Sequence, residues 1–185
     1  SHTSDWATIF HKGTETFVRT PGFWLTANKS ALHARFTGNW DSSAGIEELG
    51  DGLLLDKWYH LTYTLSDPEK RLDIYIDSEW VGFYCMQNVK TQNVVFNDGP
   101  LYIGCTFAKG FNGVISNVRY YNWRLCAQEV KEDFFNKLIV YGSKVALVHV
   151  STNKYLSANG INSFTILTKV VGNGRKIDLN NDVWN

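Results

Sequence analysis

The carboxylates of residues 71–77, RLDIYID, are the ones whose spacing best suits chemistry. Asp73 and Asp77 stand four apart in a run that alternates as a strand does, so they share one face. A retaining glycosidase needs two carboxyl groups about 5 Å apart, one nucleophile and one acid, and a strand can present them on one face at alternate positions, as a Glu-x-Asp-x-Glu run would. Arg71 and Tyr75 occupy the positions where the flanking glutamates belong. That chemistry is therefore excluded, and the pair reads as solvated carboxylates beside Lys70 and Arg71. The chain contains no Ser-His-Asp set, zinc spacing or phosphate-cradling glycine loop. The five histidines sit singly, and His60, between Tyr59 and Leu61 in a strand, reads as a structural hydrogen-bonding residue rather than a base. The expectation is a chain that is not an enzyme.

Binding chemistry is better represented. Most of the 27 aromatic residues (seven Trp, nine Tyr, eleven Phe) alternate as core residues do, and Trp24, Trp58, Tyr63, Tyr102 and Phe111 are assigned to packing. Trp40 lies instead in a polar loop, and is the candidate ligand contact. Cys85, Cys105 and Cys126 are spaced by 20 and 21 residues, unlike any CxxC metal site. Two readings stand for them: three small, partly buried hydrophobes, or a bridge between Cys85 and Cys105, which both lie in strand-like segments.

Lys+Arg and Asp+Glu number 18 each, giving zero net charge. That balance argues against a general nucleic-acid or anionic-membrane surface, which needs clustered cations. No apolar run approaches the ~20 residues that span a bilayer, and the first ten residues show no signal peptide. Asn28-Lys29-Ser30 fits the N-glycosylation acceptor pattern, one common by chance, so the compartment is left open.

The elements that must position these residues are short strands. Residues 53–76 spell a β-hairpin: Tyr59, Leu61, Tyr63 and Leu65 alternate with Trp58, His60, Thr62 and Thr64 to give one covered and one wetter face, and Leu72, Ile74 and Ile76 repeat the pattern after the turn Ser66-Asp67-Pro68-Glu69. Further strands are expected at residues 7–10, 16–18, 22–26, 31–36, 80–85, 101–104 and 113–121, with residues 40–52 a loop. One short helix is expected over residues 126–135, Val130 and Phe134 on its apolar side and its acids early. Regular short strands with turns between them make an all-β sandwich.

Four motifs in order carry a family resemblance: Trp58-Tyr59-His60, Tyr75-Ile76-Asp77, Leu101-Tyr102-Ile103-Gly104, and residues 111–122, FNGVISNVRYYN, followed by Leu125 and Glu129-Val130. Residues 5–135 resemble the laminin G-like, concanavalin A-like jelly roll, and a domain over residues 1–137 is expected. Ser78 stands where that family prefers glycine, which questions the turn and not the fold. The resemblance implies a protein or carbohydrate ligand. It also implies a rim calcium site, for which the loop residues Asp41, Asp51, Asn97 and Asp98 are candidates. Family members carry one or two strands before the position of Trp6, so a piece of a longer polypeptide is expected.

Residues 142–185 resemble one leaf of a MIR-type β-trefoil. Gly142, Val145, Leu147, His149, Thr152, Tyr155, Leu156 and Trp184 fall on that pattern, with a strand at residues 165–171 and His149 in a packing role. A single leaf cannot bury its own apolar face, so neighbouring leaves are expected from the intact protein or from other chains. The whole reads as a recognition or adhesion module, with a structural segment of a larger assembly as the alternative.

Overall fold

The computed structural model describes residues 4–105, 110–136 and 161–170. Among them, two five-stranded antiparallel sheets pack face to face. The first holds β1 (Ala7–Lys12), β2 (Gly22–Leu25), β3 (Leu32–Phe36), β4 (Ala44–Leu49) and β8 (Leu101–Ile103), in the order β4-β3-β2-β1-β8. The second holds β5 (Trp58–Ser66), β6 (Arg71–Ile76), β7 (Glu79–Cys85), β9 (Gly113–Tyr121) and β10 (Ile161–Val170), in the order β7-β6-β5-β10-β9. A ten-residue helix, α1 (Ala127–Asn136), follows β9. No helix of the described residues is long and apolar enough to cross a membrane.

Alternation builds the shared interior. Phe23, Leu25, Leu32, Ala34 and Phe36 of the first sheet meet Leu61, Tyr63, Leu65, Leu72 and Ile74 of the second. The Phe10, Phe23 and Tyr63 rings lie 5.3–5.9 Å apart, a separation at which tilted and edge-on aromatic pairs add to simple area burial. Tyr63 donates its hydroxyl to the Arg35 carbonyl at 3.0 Å, and burial pushes its pKa well above the ordinary phenol value. In β1 a bulge between Thr8 and Phe10 lets Ile9 and Phe10 both enter the core.

The β5–β6 hairpin forms as its alternation requires, but both faces of β5 are buried. His60, Thr62 and Thr64 are fully covered, because α1 and the segment before it lie over the outer side of this sheet. Asp133 of α1 accepts from His60 Nε2 at 3.2 Å and from the Tyr121 hydroxyl at 2.9 Å, and pairs with Arg119. Leu125 and Val130 pack on Tyr75. At the start of α1 the backbone N–H of Cys126 donates to Glu129, half of a capping box, which holds that carboxyl below its ordinary range.

Several expectations need correction. Residues 16–18 form a turn rather than a strand, and residues 44–49 form an edge strand inside the expected loop, Ala44 and Ile46 inward, Glu47 and Glu48 outward. The strand expected at residues 165–171 exists as β10, but in the sandwich and not in a separate leaf. It pairs with β5 from Ile161↔Ser66 to Lys169↔Trp58 and with β9 from Ser163↔Tyr121 to Val170↔Gly113. Ladders on both sides make β10 an interior strand of the jelly roll, so the domain reaches beyond residue 137. The remaining positions of the MIR-type pattern, with His149 and Trp184, lie outside the described residues.

The β6–β7 turn is a two-residue hairpin with Asp77 at φ 51° and Ser78 at φ 69°. Positive φ at both central positions suits glycine, and Ser78 bears the cost of its Cβ there. Ser78→Gly is expected to raise stability by about 0.5–1 kcal/mol, read as a higher denaturation midpoint at unchanged slope.

Candidate functional site

The outer face of the first sheet carries a stripe of aromatic and imidazole rings. Trp24 of β2 stands opposite Thr8 of β1 and His33 of β3, and His11 of β1 stands opposite Gly22 of β2 and Tyr102 of β8. Gly22 is what makes room: a Cβ there would strike the Trp24 indole, which lies over it, and would crowd the Cβ of Arg19. The Trp6 ring meets His33 edge-on at 4.7 Å, Trp24 meets the same imidazole at 5.8 Å, and His11 lies 5.5 Å from Trp24 and 6.4 Å from Tyr102. Trp24 and both histidines are buried, whereas Trp6 is 41% exposed. The stripe is thus a held surface with one open indole at its edge.

Its polar partners fix the protonation of His33. Nδ1 faces the Glu47 carbonyl, which only accepts, so Nδ1 carries the hydrogen; Nε2 then accepts from Arg35 Nε at 3.1 Å. Arg35 is anchored by donating from Nη1 to the Ser43 carbonyl at 2.8 Å. Burial, with Arg35 and Arg19 nearby, holds the His33 pKa down to about 4, while the bond to Glu47 resists the shift. Burial, followed by the charge of Arg19, also lowers His11. A histidine whose folded pKa lies below its unfolded value contributes stability that is present above pH ~6.5 and lost as pH falls towards 4. The loss from His33 is on the order of 3 kcal/mol. His33→Gln, which can donate to Glu47 and accept from Arg35 without titrating, is expected to flatten the Tm profile between those pH values relative to the unsubstituted chain.

The loop from β1 to β2 closes over one end of the stripe. Thr37 holds it, accepting the Arg19 backbone N–H at 2.9 Å and donating its hydroxyl to the Phe17 carbonyl at 3.0 Å. The Arg19 guanidinium lies 5.4 Å from the centre of the Trp24 ring and 5.2 Å from that of Phe17, in cation–π geometry.

The residues singled out from sequence do not gather here. Trp40 is half-buried, meeting Phe36 edge-on at 6.0 Å and covering Gly38. Of the calcium candidates, Asp41 follows β3 and Asn97 and Asp98 precede β8 at one end of the first sheet, while Asp51 follows β4 at the opposite end. The four therefore do not form one site. Asn97 is occupied: its Oδ1 accepts the Gly99 N–H at 2.9 Å, its carbonyl accepts the Lys12 ammonium, and its Nδ2 donates to the Lys12 carbonyl at 3.1 Å. Asp41 accepts the Ser43 N–H at 2.8 Å. Among the described residues no three His, Cys, Asp or Glu gather to hold a metal.

Cys85 and Cys105 do not form a bridge, and with Cys126 they are exposed thiols rather than partly buried hydrophobes. Topology explains this, since Cys85 ends β7 at one edge of the second sheet and Cys105 follows β8 at the far edge of the first. A Cβ on Gly82 of β7 would strike Leu49 of β4, and one on Gly104 would touch Ile115 of β9, which places β4 over β7 and the end of β8 over β9.

Asp73 is 1% exposed rather than solvated. Both its oxygens accept from Arg71 Nε, at 2.8 and 2.9 Å, while Arg124 and the Trp80 indole N–H donate at 2.8 and 2.9 Å. Asp77 accepts the His60 backbone N–H at 2.8 Å. Asp73 lies within β6, whereas Asp77 falls just past its end in the β6–β7 turn, so the two carboxylates do not share a strand face, and each is engaged by other groups. From sequence Trp24 and Tyr102 read as packing residues and Arg19, His11 and His33 carry no site role; the available signal is Trp24, His11 and His33 at non-core parity in adjacent strands, with Arg19 in the loop between two of them.

No curated protein and no solved structure matches the chain. A family model described as the concanavalin A-like lectin/glucanases superfamily matches residues 1–131, in agreement with the two antiparallel sheets and the short helix, and the chain belongs to that family.

Proposed function

We propose that the chain is a non-catalytic recognition module that holds a protein or carbohydrate ligand against the outer face of its first sheet. Family membership supports a binding role of that breadth. The observation that carries the assignment to this face is the Trp6, Trp24 and His33 surface, rigid beneath and open at Trp6. Aromatic rings already held in place bind with little ordering cost. The non-catalytic part rests on Asp73, the best-placed carboxylate, whose oxygens are engaged by two guanidinium groups and an indole. Such a group is poorly suited to serve as nucleophile or acid.

The test is a glycan and peptide array followed by titration of the best binder. Trp6→Ala is expected to weaken binding about tenfold or more while leaving Tm within ~2 °C, in line with loss of an exposed aromatic anchor. Binding that ignores Trp6 would move the site elsewhere. The assembly-segment reading is favoured by the Trp80 and Phe83 rings on β7, stacked at 5.4 Å and about half exposed. Their substitution by serine would disrupt association with neighbouring chains and spare ligand binding.

A further inference from the structure

Asn28-Lys29-Ser30 is the chain's only match to the N-glycosylation acceptor pattern, and it lies in the turn between β2 and β3. The needs of the fold do not explain its first and third residues. Loop asparagines elsewhere hold backbone groups: Asn39 donates to the Thr91 carbonyl and accepts the Asn93 N–H, and Asn97 bridges Lys12 and Gly99. Asn28 is exposed, and its side-chain amide makes no hydrogen bond among the described residues. Its φ of 62° is one that asparagine tolerates, so the backbone accepts this residue without requiring it. Ser30 is the sharper case. Its φ is 60°, a region that suits glycine and costs a residue bearing a Cβ, yet a serine is held there. It is 0% exposed, its N–H donating to the Thr26 carbonyl at 3.1 Å and its carbonyl accepting the Leu53 N–H at 2.9 Å. A hydroxyl two residues after an exposed, unused amide is what glycan transfer requires of the pair.

We infer that Asn28 is an N-glycan attachment site, filled before the β2–β3 turn closes. In the transfer, Asn28 Nδ2 bonds to the anomeric carbon of an oligosaccharide carried on a lipid diphosphate. The bond from that carbon to the diphosphate oxygen breaks, the lipid diphosphate leaves, and Nδ2 gives up one proton; nothing is oxidised or reduced. The exposed amide leaves room for a bulky, solvated group on the folded surface. Ser30 is buried once the turn forms, so the transferase must meet this triplet while the segment is still extended. The inference is independent of where the ligand sits on the first sheet.

The test directs the full chain, behind a cleavable signal, into the secretory pathway of a eukaryotic host and maps the secreted product by mass spectrometry. The expected result is one added oligosaccharide, released by an amidase that converts Asn28 to aspartate. Asn28→Gln should abolish the addition and melt as the amidase-treated protein does. Ser30→Gly should abolish it as well while still melting cooperatively, since glycine suits that φ and lacks the hydroxyl; the missing glycan is then not a failure to fold. For the order of events, the folded chain made in bacteria and the nascent chain are presented to the same transferase-bearing membranes, and only the nascent chain should gain mass. A product secreted at its unmodified mass, or a glycan that survives Asn28→Gln, overturns the inference. Equal modification of the folded chain overturns the claim that folding closes the site.

Discussion

Thr165→Pro is expected to cost roughly 3 kcal/mol or more, and to lower Tm by about 10 °C at the 2–4 °C per kcal/mol typical of a domain this size. Thr165 sits mid-strand in β10, fully buried, opposite Thr62 of β5 and Arg119 of β9. Proline there lacks an N–H and cannot serve a ladder flanked on both sides, which confines proline to edges and bulges. Thr165→Val, of similar shape but without the hydroxyl, should cost only about 1 kcal/mol, the worth of an ordinary hydrogen bond. Equal melting of the proline and valine variants would mean that β10 does not lie between β5 and β9. The same topology predicts that a chain cut after Asn136 exposes two nine-residue strand edges, a template for aggregation.

What could be read from sequence follows from how local each signal is. The β5–β6 hairpin was legible because period-two alternation and a Pro-containing turn sit within some twenty residues of one another. The edge strand β4 was not, since Gly45, Glu47 and Glu48 give it a polar outer side resembling a loop. β10 was read as a strand and assigned to another unit, because its partners on β5 lie about a hundred residues away and no local pattern records which sheet a strand joins. His60, Thr62 and Thr64 looked solvent-facing for a related reason, as the helix that covers them comes some seventy residues later. The ligand face was illegible because it exists only across strands: Trp24, His33, His11 and Tyr102 come from four strands, and their side-by-side placement is a property of register. Loop residues such as Trp40 and Asp51 attracted attention by being polar-flanked, a local trait that says nothing about what they meet.

Asp133→Ala is expected to cost about 3–5 kcal/mol, the range for leaving buried charged partners uncompensated. One carboxylate, 7% exposed, accepts from His60 of β5 and from Tyr121 of β9 while pairing with Arg119 of β9, so it bonds the two strands on either side of β10 from above. Burial, and then the charge of Asp133, push the Tyr121 hydroxyl above its ordinary pKa. Alanine would remove the anion and leave three donors facing a hole. Asp133→Asn separates charge from shape: it keeps one carbonyl acceptor, turns an amide donor towards groups that also donate, and should cost about as much as alanine if charge governs the hub. In an Arg119→Met background the cost of Asp133→Ala should fall by more than 1 kcal/mol, because neighbours in one polar network do not contribute additively. Additive losses in that double-mutant cycle would show that α1 is held by Leu125, Val130 and Tyr75 alone, with Asp133 contributing no bond across β10.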